Sequence, residues 1–178
     1  MLELLSPAGS PEAVIAAVQN GADAIYLGVG DFNARRGAKN FTEEEFEKAV
    51  RYCRIRGCKT YLTLNTVVND REMEQAVNSA RLASRCGADG IIIQDLGLIS
   101  ALRRAVPDIP LHASTQMTIH NLAGVQAAAE MGLTRAVLAR ELSLEQIKFI
   151  CKNSPIEIEV FVHGALCFCH SGQCYMSA

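Results

Sequence analysis

Ile156-Glu-Ile-Glu-Val-Phe-Val-His163 places Glu157, Glu159, Phe161 and His163 on one side of a strand and Ile156, Ile158, Val160 and Val162 on the other, because successive side chains of a strand point to opposite faces. The same alternation recurs upstream. In Lys59–Asn65, Thr63 and Asn65 alternate with Leu62 and Leu64, and in Leu111–Gln116, His112, Ser114 and Gln116 alternate with Leu111 and Ala113. A strand buried inside an open parallel sheet is apolar on both faces. Here one face suits a layer of covering helices and the other suits a polar barrel lumen. Barrel interiors are mostly filled by branched apolar side chains, so the polarity itself asks for a ligand.

Working outward, short apolar stretches alternate with helical patterns along the whole chain. The strands read as Leu2–Leu5, Ala24–Gly28, Lys59–Asn65, Gly90–Gln94, Leu111–Ser114, Arg135–Ala139 and Ile156–His163. Ser10-Pro11 starts the first helix, with serine as cap and proline at the first helical position. The other helices start near Thr42, Asp70, Leu96, Ile119 and Ser143, with capping boxes at Thr42–Glu45 and Ser143–Gln146. Glycines at 21, 57, 87 and 132 mark helix ends. Strands alternating with helices in this way predict a parallel α/β sheet with right-handed crossovers. No glycine-rich dinucleotide fingerprint follows the first strand, where Pro7-Ala-Gly-Ser has a single glycine. The expected fold is therefore a (β/α)8 TIM-barrel-like domain covering residues 1–178, one unit short of closure. The long stretch Val29–Phe41 between periodic segments reads as a functional loop.

Composition narrows the class of function. Nearly half of the 178 residues are hydrophobic and the formal net charge is −2, which gives a globular chain without bulk electrostatic attraction to nucleic acid. The apolar runs are far too short to span a membrane, and Met1-Leu-Glu-Leu-Leu enters a strand directly, so a cytoplasmic location is expected. Cys53, Cys58, Cys86 and Cys151 lie in or beside helical segments and are expected to be small buried thiols.

In a barrel of this kind the chemistry sits at the C-terminal ends of the strands. The candidate substrate-binding residues there are Asn33, Arg35, Asn65, Gln94, Asp95, Ser114, Gln116, Arg140 and Glu141. Arginine forks bind carboxylates and phosphates, so Arg35 and Arg140 point to a small anionic substrate. The competing structural reading pairs Arg140 with Glu141 or Glu159 and leaves Arg36 solvated. His163 is the candidate catalytic acid or base, and Glu159 on the same face is the second catalytic candidate. His112, low in its strand, reads as structural, and His120 as a rim residue that caps or binds. No protease elbow or paired-histidine zinc helix occurs.

Cys167, Cys169 and Cys174, with His163 and His170, crowd twelve positions that begin at the end of the last strand. Cys167 and Cys174 could be half of a four-cysteine iron–sulfur site. The thiols with a histidine could hold zinc, although the spacing matches no common finger. Or the thiols could be unligated.

These residues resemble peptidase family U32, the collagenase-like peptidases, along nearly the whole chain. The resemblance is carried by Glu3–Ser10, Gly21–Gly28, Asn33-Ala-Arg35 with Asn40-Phe41, Leu64–Thr66, Gln94–Gly97, Ser114–Met117 with His120-Asn121, and Arg140–Leu142. Its most specific part is Glu159-Val-Phe-Val-His-Gly-Ala-Leu-Cys167 followed by Ser171-Gly-Gln-Cys174. The resemblance implies one of two activities. One is peptide-bond hydrolysis, for which the family is named. The other is iron–sulfur-dependent, oxygen-independent hydroxylation of tRNA, rRNA or a ubiquinone precursor, with a prephenate-like carboxylate as co-substrate of the RNA-modifying members. A third reading is a non-catalytic, cluster-holding partner of a related subunit. The resemblance also implies that Cys167 and Cys174 are the first two ligands of a 4Fe-4S cluster, with the other two further along, in a C-terminal region beyond these residues. Cys169-His170 departs from the family pattern, which has a small residue and an aromatic there.

Overall fold

The computed structural model describes residues 2–30, 32–33, 40–164 and 167–174. Seven parallel strands follow one another around a single sheet in chain order. They are β1 (Leu5–Pro7), β2 (Ala24–Leu27), β3 (Lys59–Leu64), β4 (Gly90–Ile93), β5 (Leu111–Ala113), β6 (Arg135–Val137) and β7 (Glu157–Glu159). The helices between them are α1 (Pro11–Gln19), α2 (Glu43–Ile55), α3 (Met73–Cys86), α4 (Leu96–Ala105), α5 (Leu122–Glu130) and α6 (Leu144–Asn153). This is the α/β, TIM-barrel-like architecture expected from the alternation, with seven strands in a half-barrel.

Local signals set the elements. Ser10 caps α1 through its hydroxyl, and both capping boxes, Thr42–Glu45 and Ser143–Gln146, close as expected. Gly87 ends α3 in the left-handed conformation at φ 74°, where a side chain would be strained. The two faces of the strands also separate as read. Leu62, Leu64, Leu111 and Ala113 join the main core between sheet and helices, with Ile156 and Ile158 packed against it. Ala24, Tyr61 and Ile92 form a separate inner cluster with Leu5 and Tyr26.

Four elements depart most from the sequence reading in their boundaries. β1 begins at Leu5 rather than Leu2, because Leu2 and Leu4 are exposed and the register starts at Leu5 opposite Ala24. α3 and α5 begin three residues late. Asn69 and Glu72 first close a turn ahead of α3, and a 3-10 turn at Thr115–Met117 leads to the Asn121 cap of α5. The largest change is in β7, which ends at Glu159. Val137 of β6 is its last partner in register, after which Ala139 turns to donate to the Ile119 carbonyl. With no strand left to pair, Val160, Phe161 and Val162 are exposed.

The lumen at the N-terminal ends of the strands holds an ionic network that the sequence reading did not foresee. Arg135, nearly buried, binds Glu3 Oε1 through Nη1 at 2.6 Å and Glu157 Oε2 through Nη2 at 2.6 Å. Its Nη1 also lies 3.5 Å from Glu159 Oε2. Lys59 and Tyr61 donate to Glu3 at 2.6 and 3.0 Å. Burial alone would raise the Glu3 carboxyl, but the hydrogen bonds from Arg135, Lys59 and Tyr61 outweigh it and bring it down to about 2. His112 packs its ring edge-on against Tyr61 at 4.8 Å, and burial beside the Arg135 charge drops its pKa to about 4. It is therefore a neutral core histidine, in keeping with its structural reading. Much of the lumen polarity that suggested a ligand is thus satisfied internally.

Among the dispersed thiols, Cys53 and Cys58 are buried as expected, but Cys86 is half-buried and Cys151 is exposed. Burial pushes the Cys58 thiol up to about 12. No helix among the described residues is long and apolar enough to cross a membrane.

Candidate functional site

The opposite, C-terminal end of the sheet carries the loops on which the site is built. Ser114, Gln116, Asn65, Gln94, Asp95, Arg140 and Glu141 all follow a strand there, as placed from sequence. Their roles now separate. Asp95 caps α4, accepting from Leu98 N at 2.7 Å, and its second oxygen accepts from Val68 N at 3.3 Å. Ser114 caps the 3-10 turn and accepts from Asn65 Nδ2 at 3.4 Å. Asn33, in the connection between β2 and α2, is buried and donates to Gly30 O and Asn40 Oδ1. It packs so closely on Gly28 that a Cβ there would come within 2.6 Å of Asn33 Nδ2. Asp95, Ser114 and Asn33 therefore shape the rim through backbone and loop contacts. Gln94 and Gln116 are half-buried on the same rim. Arg35 and Arg36 lie outside the described residues.

The cysteine segment, residues 167–174, folds back onto the loops after β5 and β6, and Ser171 is its anchor. Ser171 is fully buried. Its backbone N–H and its hydroxyl donate to Glu141 Oε1 at 2.9 and 3.2 Å. The same hydroxyl oxygen accepts from Arg140 N at 3.1 Å and from Arg140 Nε at 3.2 Å. Its carbonyl accepts from Thr118 Oγ1 at 2.9 Å. Gly172, at φ 78°, allows the close approach, since a Cβ there would lie 2.6 Å from Gln116 O and would collide with Thr118 Oγ1. Arg140 Nη2 completes the seat by donating to Cys169 O at 3.3 Å. Arg140 is thus engaged by the cysteine segment rather than by Glu141 or Glu159, which replaces the ion pairs considered from sequence. Neither Ser171 nor Gly172 was singled out for this role, because it depends on how the segment folds back.

Held in this way, Cys167, Cys169 and Cys174 bring their sulfurs within 4.8 Å of one another. Ligand sulfurs about 2.3 Å from one tetrahedral ion sit about 3.8 Å apart, so small side-chain rotations suffice for metal binding. The Cys169 backbone N–H, the Arg140 guanidinium and the Cys174 thiol hold the Cys167 thiol below its ordinary range. The Cys174 and Cys167 thiols and partial desolvation raise Cys169. A lowered thiol beside a guanidinium is the electropositive setting in which thiolates form. The three cysteines are a group able to bind metal.

His163 and Glu159, the catalytic candidates, are differently placed. His163 is exposed beyond the end of β7. Glu159 belongs to the lumen beside Arg135, where burial raises its carboxyl despite that neighbour.

A half-barrel with a thiol group at the C-terminal mouth of its strands defines the class. The chain belongs to peptidase family U32, whose description matches residues 9–178. It is 41% identical over 176 residues to the 23S rRNA 5-hydroxycytidine C2501 synthase of Escherichia coli, covering 99% of this chain and 26% of that protein. It is 38% identical to tRNA hydroxylation protein P1 of Bacillus subtilis (98% and 42% covered) and 35% identical to a collagenase of Porphyromonas gingivalis (98% and 44%). The chain therefore spans between about a quarter and a half of the length of these relatives. The solved structure of the U32 peptidase Mk0906 superposes with a TM-score of 0.74 at 17% identity, covering 90% of this chain and 68% of that one. At that identity the likeness establishes the fold.

Proposed function

We propose that this chain forms the metal-binding end of an RNA-modifying hydroxylation enzyme of the U32 family, acting on tRNA or rRNA in the cytoplasm with a prephenate-like carboxylate as co-substrate. The observation that carries the reading is the seating of Cys167, Cys169 and Cys174 together at the barrel mouth by Ser171 and Arg140. The relatives named for rRNA and tRNA hydroxylation supply the reaction class.

The donor set fits a thiolate-ligated iron–sulfur cluster, with Cys167 and Cys174 as ligands and Cys169 as a third available thiolate. A bound cluster would supply electron transfer or a Lewis-acidic iron. The chain's own residues do the rest. Arg140 offsets the charge of the thiolates, while Ser171, Glu141 and Thr118 fix the segment against the rim. Gln94 and Gln116 offer amides to a polar co-substrate. Arg35, from the β2–α2 loop, is proposed as its carboxylate partner. The basic surface that RNA binding requires is assigned to the additional length of the larger relatives, since this chain carries a net charge of −2.

The test is mass spectrometry of tRNA and rRNA nucleosides from cells lacking the gene and from cells complemented with wild type or Cys167→Ser. Loss of a hydroxylated pyrimidine, restored only by wild type, supports the reading; unchanged hydroxylation overturns it. The second reading, peptide hydrolysis, is favoured by the collagenase relative. It requires gelatin cleavage by purified protein that His163→Ala abolishes.

A further inference from the structure

A second group of metal-capable side chains lies beside the thiols and uses none of them. His120, Glu141 and His170 bring one donor atom each within 4.8 Å of one another. They come from three separate segments, namely the approach to α5, the loop after β6 and the cysteine segment.

Two features show how the donors are aimed. The His120 Nδ1 lies 2.9 Å from the Thr118 carbonyl. A carbonyl only accepts, so Nδ1 donates to it, and Nε2 faces Glu141 Oε2, 3.2 Å away. A metal-ligating histidine is oriented in this manner, with its other ring N–H on a backbone carbonyl. Glu141 is fixed with equal care. Its Oε1 is taken up by the Ser171 N–H and hydroxyl, which leaves Oε2 facing the ring.

An imidazole nitrogen and a carboxylate oxygen at this spacing have either a proton or a cation between them. Two ligands about 2.1 Å from one ion are separated by about 3.0 Å in an octahedron and about 3.4 Å in a tetrahedron, which brackets the observed spacing. A proton shared by His120 and Glu141 gives no role to His170, whereas a cation uses it as a third donor. His170 precedes the buried Ser171, and its exposed ring already brings one nitrogen within 4.8 Å of the other two donors.

We propose that His120, Glu141 and His170 form a binding site for one divalent ion of the Zn2+ or Fe2+ class, separate from the thiol group. Two imidazoles and one carboxylate, with positions left open, suit ions of that class rather than Mg2+ or Ca2+.

The test removes the competing thiols with Cys167→Ser, Cys169→Ser and Cys174→Ser together, then titrates the protein with Co2+ under anaerobic conditions. One equivalent should bind with weak visible bands and without sulfur-to-metal charge-transfer absorbance. Zn2+ and Fe2+ should displace it, and Mg2+ should not. Adding His170→Ala, a change at an exposed side chain, should weaken binding by at least about tenfold while the far-ultraviolet circular dichroism is unchanged. Mn2+ binding to the unaltered chain, read by electron paramagnetic resonance, provides the same measurement if the triple variant does not fold. Absence of stoichiometric uptake in folded protein, or uptake unaffected by His170→Ala, overturns the proposal. In the triple variant the thiols are absent, so either result there is independent of whether they hold a cluster, and in the unaltered chain the His170→Ala comparison separates the two sites.

Discussion

Ser171 donates both its backbone N–H and its hydroxyl to a single oxygen of Glu141, at 2.9 and 3.2 Å, from a fully buried position. This contact joins a loop of the barrel to the segment that carries the cysteines. Partial burial works to raise the Glu141 carboxyl, but the bonds from Ser171 outweigh it and hold it below the ordinary range. The seat is therefore strongest when Glu141 is ionised.

Ser171→Ala should loosen the cysteine segment without unfolding the barrel. It strips the acceptor from Arg140 N and Nε and one donor from Glu141. The expected cost is about 1–3 kcal/mol. Hydrogen exchange should accelerate at the amides of Arg140 and residues 169–174, with the β2–β4 amides unchanged.

Gly172→Ala should act on the same seat by a different route. The new Cβ would press on Gln116 O and Thr118 Oγ1 at a φ of 78°, a conformation that costs alanine about 1 kcal/mol or more. The segment should lift from the rim, and exchange at Ser171 and Cys174 should rise as in Ser171→Ala. Unchanged exchange in both variants would mean that the contact does not hold the segment.

Arg135→Met should be among the most damaging single changes in the chain. It leaves Glu3, Glu157 and Glu159 facing one another without their shared guanidinium. Removing one partner from a buried ionic network costs about 3–5 kcal/mol, and with Glu157 largely exposed and Glu3 still paired with Lys59 the loss should lie toward the low end of that range, measured by urea denaturation as a lowered midpoint.

Stability should fall as pH drops from about 6.5 toward 4, and His112 should account for a definable part of the fall. Its pKa is depressed to about 4 in the folded chain, so over that window the unfolded chain binds more protons and acid favours unfolding. The full contribution is about 3 kcal/mol. Glu159 works with the opposite sign, because burial raises its carboxyl and the folded chain takes up that proton first, which stabilises on the acid side and is lost as pH rises. Glu3, at about 2, adds a separate loss only below its ordinary range, from about 4.5 downward. The His112 part is isolated by comparing wild type with His112→Phe, whose slope between pH 6.5 and 4 should be flatter.

Much of this arrangement was legible in the sequence, where it depended on local periodicity. Alternation at Lys59–Asn65 and Leu111–Ser114 separated the lumen from the helix layer, and the capping boxes located α2 and α6. Asp95 was read as a binding residue, although an Asp immediately before a helix is also the signature of a cap. The relationships that were missed are long-range. Arg135 meets Glu3 across 132 positions, and no spacing rule joins residues so far apart. Ile156–His163 has strand periodicity throughout, yet pairing ends at Glu159 because β6 turns away at Ala139. Ser171, His120 and His170 acquire their roles only when the cysteine segment folds back onto the rim.

The most direct measurement is anaerobic loading of the purified longer protein that carries this chain with iron and sulfide, followed by iron analysis and visible absorbance. If the seated thiols hold an iron–sulfur cluster, stoichiometric iron and a broad sulfur-to-iron absorbance will appear. Cys167→Ser and Cys174→Ser will each remove both, and Arg140→Ala will weaken retention. Iron content and absorbance that are the same in wild type and in the two cysteine variants would contradict the assignment.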